Sequence, residues 1–410
     1  MSDMFWKKFN NFGYLLKFVY KNFVLSCYHF VMKTLKDYEK ELSKCSKCGQ
    51  CQVACPIYKL TKNDCTVSRG KFIMLHGVTQ GELKLSKNIN KYLDMCLKCG
   101  KCSDFCPAGI DALEIITCAK QEYMKTTFLS KIINFFQSKL VFSNFIKIGE
   151  LIFRHSEQGL LRNKTLGMTE CEESSYITKE NCLSVMYFKG CVNKVLPDSD
   201  KYLKKIFEKS DIEIITPDFD CCGLPFLSEG NLERFEQSAK TNIANLNTSY
   251  DYLVTDCASC ESTLLSYKKY FDCNITSEKL LNWGDIIALK DLKFEFKHPL
   301  KVTFHKPCHL KNDSFFEKII QNCTNVEYIK MNDYDECCGF AGSFALKNRG
   351  LSKEISKNKA LNIRNTNADY VITSCPACIL GLKQGLFLTG NKKTKVVSLL
   401  EFLSIADKVY

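Results

Sequence analysis

The sequence predicts an α + α/β protein: an all-helical unit followed by two repeated copies of a parallel α/β unit. Three observations predict it. The pattern C-x2-C-x2-C-x3-C-P occurs twice, at Cys45 to Pro56 and at Cys96 to Pro107, with helix-like stretches between and after the two copies. From about residue 183 onward, short apolar strands alternate with helical stretches. That alternation also repeats at a nearly fixed interval: 117 residues separate Cys191 from Cys308, 116 separate Cys221 from Cys337, and 118 separate Cys257 from Cys375.

Residues 1–42 carry a stripe of Phe5, Phe9, Phe12, Leu16, Tyr20, Phe23, Cys27 and Phe30 at steps of three and four, the period of one helix face. Lys7, Lys8, Lys17 and Lys21 lie on the other side, which suits an interfacial membrane helix or a helix packed on protein. Two lysines inside the apolar window argue against a spanning helix, and no small-residue cleavage site marks a secretory signal.

Residues 43–125 hold the two cysteine loops. Three cysteines at steps of three lie along one tight loop, so their sulfurs converge on one cluster. The fourth is carried away and serves the other, with proline turning the chain. This predicts two [4Fe–4S] clusters, one on Cys45, Cys48, Cys51 and Cys106, the other on Cys96, Cys99, Cys102 and Cys55. A pair of zinc sites has no use for this three-plus-one layout. The gap of 41 residues from Cys55 to Cys96 is long for a compact β-rich ferredoxin. The stretch from Arg69 and that from Asp111 to Met124 read as helices. Cys65 and Cys118 fall outside the motif and are expected in the core. An apolar connector, 126–180, follows, rich in Phe128, Ile132, Phe135, Phe136 and Phe142.

The repeated units span 181–295 and 296–410. In the first, Val185 begins a strand that leads to Cys191, Ile212 one that leads to Cys221-Cys222-Gly223, and Tyr252 one that leads to Cys257 and Cys260. In the second, Val302 leads to Cys308, Val326 to Cys337-Cys338-Gly339, and Tyr370 to Cys375 and Cys378. Helices are expected near 198–209, 230–246 and 351–364. Alternating strands and helices make parallel sheets with crossovers, and ligands gather beyond the carboxyl ends of such strands. Each copy therefore brings five thiols to one edge, one more than a tetrahedral metal site needs. A bridged cluster, or four ligands with one spare thiol, suits five; a zinc site on four of them is the alternative. Gly223 and Gly339 are expected to relieve crowding beside the metal. His305 and His309 flank Cys308 and could donate to cluster sulfur, move a proton, or simply pack. Cys27, Cys171, Cys182, Cys273 and Cys323 have no ligand spacing.

The chain has 410 residues, 25 of them cysteine, and a formal charge of +12. Disulfides are the usual fate of cysteine in small secreted chains, so reduced thiols used as metal ligands fit a chain of this length better. The lysines are scattered, and each cluster with four thiolates carries about −2, so nucleic-acid binding is not expected. No Gly-rich nucleotide motif is present.

The doubled C-x2-C-x2-C-x3-C-P with two downstream CCG boxes resembles the iron–sulfur subunit of glycolate oxidase, and is similar to the third subunit of anaerobic glycerol-3-phosphate dehydrogenase. The CCG copies also resemble the lactate-utilisation iron–sulfur protein and heterodisulfide reductase. Cys337-Cys338-Gly-Phe-Ala-Gly-Ser-Phe and Cys221-Cys222-Gly-Leu-Pro carry the likeness. The resemblance implies a ferredoxin domain and two CCG domains. It implies an electron relay, with FAD and substrate on a partner dehydrogenase subunit and membrane quinone as acceptor, in a cytoplasmic protein peripheral on the inner face of the membrane. The heterodisulfide-reductase likeness implies the alternative, disulfide reduction at the CCG sites.

Overall fold

The computed structural model describes residues 33–126, 182–194, 199–208, 210–246 and 249–410. The expected amphipathic stripe within 1–42 and the apolar connector of 126–180 lie outside the described residues, except for their edges.

Every regular element within residues 33–126 is a helix, as expected. The two longest helices, Ser68–Thr79 and Ala112–Thr126, cover the stretches read as helices. A third, Lys87–Asp94, was not anticipated; Ser86 begins it by accepting the Ile89 N–H, the usual service of an N-cap serine. Leu42, Leu75, Leu93 and Ile116 pack between these helices as a small core of their own. Cys118 is buried in that core, and burial pushes its thiol up to about 12.

The chain then forms two parallel sheets. The first contains β1 (Leu183–Tyr187), β2 (Ile212–Ile215), β3 (Tyr252–Thr255) and β4 (Leu280–Asn282), in the order β2-β1-β3-β4. The second contains β5 (Phe294–His305), β6 (Cys323–Tyr328), β7 (Tyr370–Thr373) and β8 (Lys395–Ser398), in the order β6-β5-β7-β8. The short β9 (Lys408–Val409) adds an antiparallel partner to the start of β5. Val185 pairs with Tyr252 in one sheet and Val302 with Tyr370 in the other, so the repeat seen in sequence is a repeat of register. Strand order reverses between β1 and β3, and between β5 and β7. A crevice opens at such a point, beyond the carboxyl ends.

Helices Ser199–Phe207, Leu232–Ala244 and Arg349–Asn365 fall where expected. The strands β4 and β8 were not foreseen. Each is short and is followed at once by a helix, so its apolar run reads as part of that helix.

The two α/β units share one continuous hydrophobic core. Helix Trp283–Leu289 lies against helix Ser314–Gln321, and the contact is close because Gly284 sits on the Phe315 ring. The helical unit docks onto both α/β units. Gly230, at φ +77°, comes so near that a Cβ there would lie 2.5 Å from the Gln121 nitrogen. A buried ion-pair group closes the junction: Lys120 reaches Asp94 at 2.8 Å and Glu229 at 3.3 Å, and Lys347 reaches Asp94 at 3.2 Å and also pairs with Glu229.

Candidate metal centres

Both cysteine loops of the helical unit fold alike. In C-x-Lys-C-Gly, Lys47 and Lys98 are left-handed (φ 60° and 56°), and so are Gly49 and Gly100 (φ 89° and 80°). This curl turns three successive sulfurs to the inside. A short helix then carries the fourth cysteine away, and Pro56 opens the next helix at its first position.

One cavity is lined by Cys45, Cys48, Cys51 and Cys106, the other by Cys55, Cys96, Cys99 and Cys102. Cys102 lines both, so the two cavities are neighbours. The donor set fits the expected groups: each cavity has three cysteines of one loop and the end cysteine of the other, with Cys102 as a fifth thiol on the wall of the first cavity.

The surroundings of the two cavities differ. Cys48 is exposed. The second cavity has buried lysines beside it: Lys71, whose ammonium donates to the Thr66 carbonyl, and Lys98, which donates to Thr117 Oγ1 at 3.2 Å. Burial pushes the Cys96 thiol up, but the Lys71 and Lys98 charges more than offset it, and the net direction is down. Burial drives Lys98 itself down to about 8, against the pull of Cys96.

In the α/β units each predicted cysteine group follows its strand, Cys257 and Cys375 at once after β3 and β7, the CC pairs after longer loops from β2 and β6. Cys257 and Cys375 stand at the N-caps of helices Ala258–Ser266 and Pro376–Leu388. Cys191 and Cys221 are 3.5 Å apart, Sγ to Sγ. From there thiol contacts run through Cys222, Cys260 and Cys257, cross to Cys375, and continue through Cys378, Cys338 and Cys337 to Cys308. The ten sulfurs of the two copies thus form one string. In each copy the second cysteine of the CC pair is the more acidic. Cys338 is held at about 5 by hydrogen bonds from Cys337 and Cys378, and Cys222 is lowered by Cys221 and Cys260.

The glycines of the CCG boxes work differently from the expected relief beside metal. Gly223 and Gly339 have φ +86° and +83°, and a Cβ would strike Phe235 at 2.6 Å or Ile355 at 2.9 Å. The close approaches to sulfur belong to Gly190, where a Cβ would lie 2.9 Å from Cys260 Sγ, and Gly381, at 3.1 Å from Cys338 Sγ. Isolated glycines outside a motif gave no signal in the sequence.

His309 ties three elements together. Its Nε2 donates to the Lys98 carbonyl at 2.8 Å, which leaves Nδ1 to accept from Ser259 Oγ at 3.0 Å. Ser259 Oγ in turn lies 3.7 Å from Cys375 Sγ. The second cysteine loop and the C-x2-C helix of the first copy thus meet at Cys308 and Cys375. Cys99 senses the charge of Cys308, and Cys337 that of Cys99, which places the second helical cavity next to the second α/β cysteine group. Cys323 is buried among side chains and donates to the Ile319 carbonyl at 3.2 Å, away from the metal groups.

Comparison with known proteins matches residues 41–110 to a 4Fe-4S dicluster domain, and residues 185–265 and 302–383 to the CCG cysteine-rich domain. An uncharacterized iron-sulfur protein of Methanococcus maripaludis is 28% identical over 92% of this chain and 74% of its own. A subunit of the fumarate reductase (CoM/CoB) of Methanothermobacter marburgensis is 27% identical over 90% of this chain and 74% of its own. The probable glycolate oxidase iron-sulfur subunit of Bacillus subtilis is 24% identical over 89% of this chain and 94% of its own.

Proposed function

We propose, for a chain that belongs to the iron–sulfur proteins joining a 4Fe-4S dicluster domain to two CCG cysteine-rich domains, that it is the electron-transfer subunit of a flavoprotein dehydrogenase complex. A partner FAD subunit oxidises a 2-hydroxy acid (glycolate or lactate) or glycerol 3-phosphate. This chain carries the electrons to membrane quinone. The glycolate-oxidase relative supports the substrate class by its name alone.

The observation that carries the reading is the unbroken succession of thiol groups. It starts at exposed Cys48, passes through Cys102, which lines both helical cavities, reaches Cys99 beside Cys308, and ends in the ten-sulfur string. Iron–sulfur clusters, when bound, take up and release one electron at a time. Cys45, Cys48, Cys51 and Cys106 hold the first [4Fe–4S] group, and Cys96, Cys99, Cys102 and Cys55 the second. Cys191, Cys221, Cys222, Cys257 and Cys260 hold one further iron–sulfur centre, or zinc. Cys308, Cys337, Cys338, Cys375 and Cys378 hold another. Cys48 faces the partner, and the buried cysteines of the CCG units form the far end. Lys71 and Lys98 counter the negative charge that four thiolates and iron sulfide bring into the interior. Among the described residues no helix is long and apolar enough to cross a membrane. The lysine-backed aromatic stripe of 1–42 is the proposed contact with the inner membrane face.

A second reading is disulfide reduction at the CCG sites. The closeness of the two C-x2-C helices favours it, since the Ala258 N–H donates to the Ser374 carbonyl at 3.0 Å and Ser259 Oγ lies 3.7 Å from Cys375 Sγ, and two sites so close could act on one substrate. Cys48→Ser separates the readings. With the partner flavoprotein, substrate should still bleach the flavin while quinone reduction stops. Intact quinone reduction removes Cys48 from the path, and flavin-independent turnover of a disulfide favours the second reading.

A further inference from the structure

We propose that His305 is a metal ligand, so that the second CCG centre is a mixed imidazole–thiolate site while the first is held by thiolates alone. The proposal rests on the reading that the CCG cysteines hold metal.

The two copies place different residues at one position. Val185 and Val302 occupy the same register, against Tyr252 and Tyr370, and three residues further on stand Phe188 and His305. Phe188 is fully buried and packs on the Phe219 ring at 4.8 Å between centroids, as an ordinary core residue. His305 ends β5, opposite Thr373, and is also 0% exposed. It does not behave as a core residue. A ring nitrogen and the sulfurs of Cys338 and Cys378 all lie within 4.8 Å of one another. A tetrahedral site with bonds of roughly 2.0–2.3 Å needs donors some ~3.5 Å apart, a distance that small side-chain rotations reach from here.

Neither ring nitrogen has a hydrogen-bond partner of ordinary geometry, and the hydroxyls of Thr373 and Ser374 at the same strand end are equally unpartnered. Native interiors rarely leave buried polar atoms so, and an ion that belongs there is one of the few physical reasons. In the first copy the corresponding Thr255 hydroxyl is occupied, accepting the Cys257 N–H at 3.3 Å. The orphaned group is thus specific to the second centre.

The metal class is one that imidazole and thiolate share: iron within iron sulfide, or zinc. If iron, a neutral nitrogen donor beside thiolates raises the reduction potential relative to an all-thiolate centre. The second CCG centre, adjacent to Cys99, would then accept electrons more readily than the first.

The test uses full-length protein purified anaerobically with 15N only in histidine. Metal counts decide the arm: pulsed EPR for iron, X-ray absorption at the zinc edge for zinc. The expected result is one coordinated histidine nitrogen in the wild type, lost in His305→Phe and kept in His309→Gln. Phenylalanine already fills this position in the first copy, and unchanged iron at the dicluster domain shows that the variant has folded. The wild-type signal needs no variant at all. Metal bound at both CCG centres with no histidine nitrogen overturns the proposal, as does a nitrogen signal that survives His305→Phe. No metal at either CCG centre overturns instead the reading on which it rests.

Discussion

The two cysteine loops of the helical unit share a motif, a backbone and even a lysine at the same place, yet they inhabit different solvents. Ser46, Lys47 and Cys48 of the first loop are exposed; Leu97 and Lys98 of the second are buried, Leu97 only 3% exposed. Local sequence built both curls. Whether a lysine in the curl is a hydrated surface charge or a desolvated cation facing thiolates was decided by what docks on it. His309 from the second α/β unit caps the second loop at the Lys98 carbonyl, and Ile57, Leu97, Cys337 and Phe344 form a small core across that junction. A motif therefore sets which thiols are brought together, and docking sets the charge and solvent around them.

The difference is broken most severely at the ion-pair junction. Glu229→Gln leaves Lys120, 4% exposed, sharing the single Asp94 carboxylate with Lys347, so the group keeps two cations and one anion. Breaking a buried pair costs about 3–5 kcal/mol, and thermal unfolding should show a loss of at least about 3 kcal/mol. The same carboxyl gives the pH dependence. Burial raises its pKa, but Lys120 and Lys347 more than offset this and hold it at about 2. Because the folded value lies below the ordinary one of about 4.3, the stabilisation is complete above about pH 4.3 and drains away as pH falls toward 2. Acid melts of Glu229→Gln should lack that component; a variant whose acid sensitivity matches wild type would mean the junction is not held by this charge.

Iron release by a chelator comes next. The exposed Cys48 loop should lose its iron on the order of tenfold faster than the buried loop, because solvent access governs the chemistry of a site. EPR of the surviving signal identifies which remains; equal rates would erase the distinction. A subtler probe is the lysine pair. Lys98→Met should lower the potential of the second cluster by about 60 mV, one factor of ten for a one-electron couple. Lys47→Met should leave the first within about 10 mV, its charge being screened by water. Smallest of all is Lys59→Met at the exposed pair with Glu336, where a change below about 1 kcal/mol in stability, vanishing in high salt, is expected.

Much of this molecule was legible in the chain. The repeated spacing told of two α/β copies, since a register that recurs in space must recur in sequence. The helical character of 33–126 followed from the long gap between the cysteine loops and from the helix-like stretches at Arg69 and from Asp111 to Met124. Other features carried no local signal. The strands β4 and β8 are too short to show a period of two, and Gly190 and Gly381 matter only because a sulfur from another element stands beside them. His305 was visible as a candidate, but its meaning came from its burial and from its unpartnered ring nitrogens.

The sequence by itself determined how the cysteines are grouped and the order of the units, because cysteine spacing and strand period are properties of a few consecutive residues. Only the tertiary structure decided that the carboxyl edges of both sheets meet, where the Ala258 N–H donates to the Ser374 carbonyl at 3.0 Å, and that Cys99 of the second helical cavity packs with Cys308. Those contacts join residues more than a hundred positions apart. They arise from the burial of one shared apolar core, which no stretch of chain encodes alone.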